Sequence, residues 1–374
     1  MSSLLTIPVS TASHSYSIFI KNNLIKDINK ILYKISTDKR RIFIITDKKI
    51  AELHLKNLLR ALGNQNIIKP FILSEGEKYK NWASLQRILN YCLSHSIRRA
   101  DIIIALGGGV IGDITGLAAS LLLRGVIFVQ IPTTLIAQID SSIGGKTAIN
   151  TKQGKNLIGT FYQPSLVLID PLYLKTLPLR HLKAGYAELI KYALIQDNVF
   201  FKWLQKNHFH IFNGNTNCLK QAIAKCCKIK ASIIAQDEKD RHQRLLLNLG
   251  HSFGHALESL LDYNSNKLLH GEAVSIGIVF AFSLSVYLGL CPEKENKIVK
   301  QHLDQIGLPT QASLWLKHPK QIQKFIYYLQ QDKKSENQKL TLILVKGIGK
   351  AFIQKNISVR DIEDFIYFFL GNHL

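Results

Sequence analysis

The chain has 374 residues, 47% hydrophobic and 20% charged, which is enough apolar material for a large buried core and, at this length, for about two domains. Its five cysteines, Cys92, Cys218, Cys226, Cys227 and Cys291, are odd in number and include no C-x-x-C pair, which argues against a disulfide framework or a cysteine zinc site and for a reducing cytoplasm. Formal net charge is +22, from 48 Lys and Arg against 26 Asp and Glu, but the lysines are scattered, with no basic stripe interleaved with aromatics, so no nucleic-acid partner is expected.

The opening MSSLLTIPVSTASHSYS lacks a basic start, an apolar core and a small-residue cleavage site, so the expectation is a cytoplasmic chain without an export signal. A β pair is expected around Thr6 and Ile18. Strands are then expected at 41–46, 67–73, 101–106, 126–131 and 166–169. Helical stretches lie between them, such as 78–95, where Trp82, Leu85, Ile88, Leu89 and Cys92 recur on one face. This alternation predicts an α/β N-terminal domain with a mainly parallel, Rossmann-like sheet. After Pro178 long helical periodicity dominates through Ile306, followed by a β-like run at 340–345, a turn at 347–349 and an amphipathic segment at 359–370. The expected division is therefore 1–177, α/β, and 178–374, mostly α-helical, with no flexible tether at the boundary. Residues 273–290 carry no charge and reach membrane-span length, but serines, glycines and Tyr287 dilute the run, and a buried helix without a membrane is expected.

Three stretches carry chemistry. The run DIIIAL leads into GGGVIGD at 107–113 and then into a helical segment, so that Gly107, Gly109 and Gly112 have G-x-G-x-x-G spacing in a strand-turn-helix context that can hold a pyrophosphate. The acidic residue expected about 20 positions on is replaced by Pro132, Thr133 and Thr134, so this is no ordinary dinucleotide fingerprint, and a plain tight βα turn is the alternative. The polar, glycine-rich text at 131–150 and 154–164 is too long for a simple connector and offers Asp140, Lys146, Lys155 and Asn156 near the carboxyl ends of the strands. Finally, Glu188 and Lys191 stand three apart on one expected helix, and His251 and His255 four apart on another, with His270 following. A carboxylate plus imidazoles from separate helices suits a catalytic Zn²⁺, although spacing alone leaves structural histidines equally open. Lys230, Arg244 and Asn248 add unusual polar density to core-facing helices, where unpaired ions are costly.

Taken together, SEGEKYK at 74–80, GGGVIGD, RGVIFVQIPTTLIAQIDSSIGGKTAIN, GKNLIGTFYQP, GYAELIKYALI, LNLGHSFGHALE, LHGEAV and DKK at 332–334 resemble 3-dehydroquinate synthase, a sugar phosphate cyclase family, over residues 46–350. The resemblance implies a metal, Zn²⁺ or Co²⁺, on Glu188, His251 and His270, with His255 handling protons. It implies NAD along Asp47, the 75–80 turn (Glu75, Gly76, Glu77, Lys78, Tyr79, Lys80), the 109–113 turn (Gly109, Val110, Ile111, Gly112, Asp113), Thr133, Thr134, Lys146, Lys155 and Thr176. An anionic sugar phosphate substrate would be held by Asp140, Lys146, Asn156, Lys191, Lys230, Arg244, Asn248 and one lysine of the Lys333 and Lys334 pair, Lys334 first. The arginine matching Arg124 reaches the partner's phosphate site in this family, which implies a homodimer. Residues 1–177 would then be the NAD-binding domain and 178–374 the metal- and substrate-binding domain. Two positions depart from the family pattern: Lys49 replaces a frequent asparagine, and the segment between His255 and His270 is slightly longer. The implied reaction converts 3-deoxy-D-arabino-heptulosonate 7-phosphate to 3-dehydroquinate and phosphate by transient oxidation, phosphate elimination, re-reduction, ring opening and aldol closure. It serves the shikimate pathway to chorismate and the aromatic amino acids. The rivals are another sugar phosphate cyclase and a metal-dependent polyol dehydrogenase.

Overall fold

Runs such as IFII at 42–45 and IIIAL at 102–106 are apolar at every position because successive strand side chains point to opposite faces and both faces of the sheet are covered. In the computed structural model, which describes residues 3–35, 40–63, 65–240, 242–331 and 339–371, this is what the alternation achieves. Ile42, Ile44, Ile102, Ile104 and Val129 enter one core with Ile28, Leu55 and Leu58, while Phe43, Ile45, Ile103, Ala105 and Phe128 enter another with Leu85, Ile88 and Leu117.

The strands of the first unit are β1 (Leu5–Ser10), β2 (Ser15–Ile20), β3 (Arg41–Asp47), β4 (Asn66–Ile67), β5 (Phe71–Leu73), β6 (Ile102–Gly107), β7 (Ile127–Pro132), β8 (Lys146–Thr151), β9 (Gly154–Phe161) and β10 (Leu166–Ile169). Among the described residues, the main sheet has eight strands in the order β1-β2-β10-β7-β6-β3-β4, with β5 also on β3. Only β1 and β2 run antiparallel, with Thr6 opposite Phe19 and Ile7 opposite Ile18; every other pairing in this sheet is parallel. The expected strand 67–73 is broken in two. Pro70 has no N–H to give the ladder, so pairing with β3 stops at Ile67 and resumes at Phe71. The expected helix 78–95 is Trp82–Ser94, opened by the Asn81 side chain accepting from Ser84 N at 2.9 Å, and Trp82 itself is exposed rather than on the buried face.

By packing, the first unit comprises Met1–Pro178 together with Gly214–Lys239, and the second Leu179–Asn213 together with Asp240–Leu374. Helix Thr216–Gln236 thus lies against β1, in the α/β unit, although it follows Pro178 in sequence. The second unit is built from helices Leu179–Gln196, Asn198–Phe212, His251–Leu260, His270–Tyr287, Glu293–Gln305, Pro319–Gln331 and Val359–Gly371, with the antiparallel pair β11 (Lys339–Val345) and β12 (Ala351–Ser358). His270–Tyr287 is long and apolar enough to cross a membrane, but it is apolar all round because other helices surround it: Leu179–Gln196, His251–Leu260 and Glu293–Gln305 pack on it, and most of it is buried.

Candidate active site

Packing of the second unit brings three polar side chains to one point. Glu188 lies midway along Leu179–Gln196, while His251 and His270 are the first residues of their helices. The close approach depends on glycine. A Cβ at Gly277 would lie 1.9 Å from Gly250 O, and one at Gly271 would lie 1.9 Å from Ala184 O, so helix His270–Tyr287 meets the other two backbone to backbone. Gly250 also sits at φ 80°, in left-handed space that favours glycine, just where the chain must turn to begin the His251 helix. The start of the His270 helix is fixed by Glu272, which accepts from Leu269 N at 2.8 Å and pairs with both ends of the Arg180 fork at 2.7 and 2.8 Å.

Glu188 Oε1 is 3.0 Å from His270 Nε2 and 3.3 Å from His251 Nε2, and Glu188 Oε2 is 2.6 Å from Lys191 Nζ. The far side of each imidazole is also engaged: His270 Nδ1 is 3.0 Å from Glu258 Oε2, and His251 Nδ1 is 3.3 Å from Leu249 O. Burial alone would push the Glu188 carboxyl up, but Lys191 and the two histidines outweigh it and hold it well below the usual range. Burial, assisted by Lys191, pushes His251 down. For His270 burial also acts downward, but Glu258 and Glu188 prevail and raise it to about 10. One carboxylate oxygen and two imidazole nitrogens, all within 4.8 Å of one another, form a donor set that fits a divalent ion with open positions, and the tethered Nδ1 atoms turn both Nε2 atoms towards it. His255 completes the group, its ring 5.4 Å from His251 and 6.0 Å from His270. Arg244, buried, and Asn248, half-buried, belong to the turn Gln243–Asn248 just before it.

In the first unit the chain leaves β3 for β5 on one side and returns to β6 on the other, so the carboxyl ends of β3 and β6 flank a topological switch point, where open α/β sheets bind ligands. Asp47 ends β3 and accepts from Ile50 N at 2.9 Å; burial, with Glu75 adding to it, raises its pKa. Gly107 ends β6, and helix Gly109–Leu121 starts at Gly108 with no side-chain cap, so its first N–H groups are available to a phosphate. Val110 and Ile111 form its first turn, with Ile111 packed on Gly107. Thr133 donates its N–H to Gly107 O, and Thr134 accepts from Ala137 N. Lys80, buried, reaches Asp113 and Asn156, each at 2.5 Å, and Glu77 accepts from Asn150 at 2.7 Å. Gly76 takes φ 107° in the same turn, where Lys78 lies over the Tyr79 ring. Lys230 pairs with Asp140 and also donates to its carbonyl at 2.7 Å. Thr176 is bonded to His54 at 2.9 Å. Lys146 begins β8, exposed, and Lys155 lies in β9. Arg124 is exposed at φ 64°. Lys333 and Lys334 lie outside the described residues.

Two things at the site escape the sequence reading. The 146–161 text is a β-hairpin rather than loop, and Glu258 joins the histidines; its sequence signals are spacings of seven from His251 and three from His255, which place all three on one face of a helix.

The model of the 3-dehydroquinate synthase N-terminal domain matches residues 70–184, and that of the C-terminal domain matches residues 185–335. The chain belongs to the 3-dehydroquinate synthase family. It is 44% identical over 366 residues to 3-dehydroquinate synthase of Bartonella bacilliformis, covering 96% of this chain and 97% of the relative, and 43% identical over 368 residues to that of Rhodospirillum rubrum, covering 96% and 93%. Among solved structures, the 2-epi-5-epi-valiolone synthase of Streptomyces hygroscopicus with NAD⁺ and Zn²⁺ bound superposes with a TM-score of 0.85 at 28% identity, covering 97% of this chain and 99% of that one. A 2-deoxy-scyllo-inosose synthase complexed with carbaglucose-6-phosphate, NAD⁺ and Co²⁺ gives 0.83 at 24% identity, over 97% and 99%, a likeness of fold. A 3-dehydroquinate synthase family member is thus built on the fold expected from its sequence, a mainly parallel α/β unit and a mostly helical one.

Proposed function

We propose that this chain is a carbon–oxygen lyase that converts 3-deoxy-D-arabino-heptulosonate 7-phosphate to 3-dehydroquinate and phosphate, in the cytoplasm and as a homodimer, on the shikimate route to chorismate and the aromatic amino acids. The observation that carries this reading is the meeting of Glu188, His251 and His270 in a chain 44% identical to 3-dehydroquinate synthases. Glu188, His251 and His270 would hold Zn²⁺ or Co²⁺, and the glycine turn after β6, with Asp47, Glu77, Lys80, Thr133, Thr134 and Lys155, would hold NAD. Such an ion would supply Lewis acidity towards a substrate hydroxyl, and NAD would supply a reversible hydride acceptor with no net redox change.

The chain's own residues do the rest. Lys191 neutralises Glu188 Oε2 and leaves Oε1 facing the two Nε2 atoms. The ammonium groups of Lys146 and Lys230 and the guanidinium of Arg244 suit a substrate that carries both a phosphate and a carboxylate. Asp140 and Asn156 offer acceptors for its hydroxyls while Lys230 and Lys80 steady them. His255, a ring away from both candidate ligands, is placed to move a proton. Arg124, exposed on a strained left-handed turn, is assigned to the partner's phosphate site. Nucleotide binding is assigned to 1–177. Metal and most substrate contacts go to 178–374, within which helix Thr216–Gln236 contributes Lys230.

Incubation of the protein with the heptulosonate phosphate, NAD⁺ and Zn²⁺ should release phosphate with no accumulation of NADH and yield 3-dehydroquinate. Stoichiometric NADH would instead make it a polyol dehydrogenase, and turnover of a different sugar phosphate another cyclase.

A further inference from the structure

We propose that Glu258 is a positioning residue of the metal centre, accepting a hydrogen bond from His270 Nδ1 and so fixing the tautomer and ring angle at which His270 presents Nε2. This rests on the metal reading above and adds a residue that the ligand set does not include.

The geometry supplies three reasons. Glu258 Oε2 lies 3.0 Å from His270 Nδ1 while the opposite nitrogen, Nε2, lies 3.0 Å from Glu188 Oε1, so the ring is held between two carboxylates along its long axis. A neutral imidazole carries one N–H; an acceptor at Nδ1 draws the proton there and leaves the Nε2 lone pair directed at the cluster. Glu258 is only 5% exposed, so the acceptor it offers is held in place by packing rather than left free in solvent. Finally, the two candidate imidazole ligands are supported unequally. His251 Nδ1 faces a neutral backbone carbonyl, Leu249 O, at 3.3 Å, whereas His270 Nδ1 faces an ionisable side chain at shorter range, so donor strength at His270 should depend far more on its partner. His255 and Glu258 also lie three apart on one helix, and with His270 they offer ligand atoms within 4.8 Å of one another, so the test must separate positioning from ligation.

The test measures Zn²⁺ affinity of the full chain by competition with a chromophoric chelator, together with the visible spectrum of the Co²⁺-loaded protein. Glu258→Gln keeps an acceptor but loses the charge and should bind about 10-fold more weakly, while Glu258→Leu loses both and should bind about 100-fold more weakly, each with an altered Co²⁺ spectrum. Wild-type affinity and spectrum in a folded Glu258→Gln protein would overturn the proposal, and this isosteric variant decides the matter if the leucine variant does not fold. A second Zn²⁺ per chain that disappears in Glu258→Gln would also overturn it, making Glu258 a ligand together with His255 and His270. If the wild-type protein takes up no Zn²⁺, or if His251→Ala binds it as tightly as wild type, the failure belongs to the metal reading beneath. Wild-type uptake with the expected loss in His251→Ala and none in the Glu258 variants isolates the failure to Glu258.

Discussion

Buried as deeply as Glu188, at 1% exposure, a carboxylate survives only if its neighbours replace water, and Lys191, also 1% exposed, is the closest of them at 2.6 Å. Removing one member of such a pair leaves the other charge stranded. Lys191→Met in metal-free protein should therefore cost about 3 to 5 kcal/mol in urea unfolding, much more than a surface lysine would, and a loss under about 1 kcal/mol would show that Glu188 is neutralised by other means. Asp101, far from this cluster in sequence, shows the same logic in the first unit. Burial pushes its carboxyl up, but hydrogen bonds from the Arg41 guanidinium at 2.7 Å and from the backbone N–H groups of Arg41 and Arg98 prevail, and its pKa falls below the ordinary 3.8. A depressed native pKa means stabilisation that is fully present above the unfolded value near 3.8 and lost as pH drops through the lower native value. Asp101→Asn should thus cost about 2 kcal/mol at pH 7, with the gap to wild type closing as the pH falls below 3.8. A gap independent of pH would assign the loss to packing.

At the scale of elements, Gly277→Ala sets two effects against each other. Helix propensity alone favours alanine by about 1 kcal/mol, but the added Cβ would sit 1.9 Å from Gly250 O, and backbone cannot rotate out of the way as a side chain can. The collision should win, with a melting temperature lower by several degrees and weaker Zn²⁺ binding, because the helices carrying His251 and His270 are forced apart; an unchanged or higher melting temperature would refute the close approach. Elements of this kind also divide what the sequence discloses from what it conceals. The parallel strands are legible because burial on both faces makes them apolar throughout, as in IFII and IIIAL. Hairpin β8–β9 is not, because β9 is half-buried or exposed along its length and reads as polar loop text, while the gap at Pro70 needs knowledge of the ladder it interrupts. Helix Thr216–Gln236 looks like part of the helical half because periodicity reports a buried face and not the partner that buries it. The same limit applies at the site: Glu188, His251 and His270 stand out as residue types that need a reason to be buried, but Glu258 acquires its role only when a different helix delivers His270 Nδ1 to it.

The whole chain carries 48 Lys and Arg against 26 Asp and Glu, a surplus of +22 that no local cluster accounts for, so an average surface lysine has more cations than anions in its surroundings. Two unit charges about 10 Å apart in water repel by about 0.4 kcal/mol, small singly but summed over many pairs in the compact state and relieved on unfolding. Salt acts on this balance in both directions: it screens the repulsion beyond a Debye length of about 10 Å at 0.1 M, and it weakens exposed ion pairs, such as Lys297 with Glu293 at 2.8 Å, that are each worth at most about 1 kcal/mol. With nearly twice as many cations as anions the repulsive pairs outnumber the attractive ones, so raising NaCl from about 20 to about 200 mM should raise the melting temperature by a few degrees, measured with chelator and without phosphate. A falling melting temperature would mean that attractive pairs dominate despite the surplus. Comparison of anions separates this bulk effect from a built site, because screening depends on ionic strength alone, whereas stabilisation by phosphate well beyond chloride at equal ionic strength would trace to specific binding by residues such as Lys146 or Arg244.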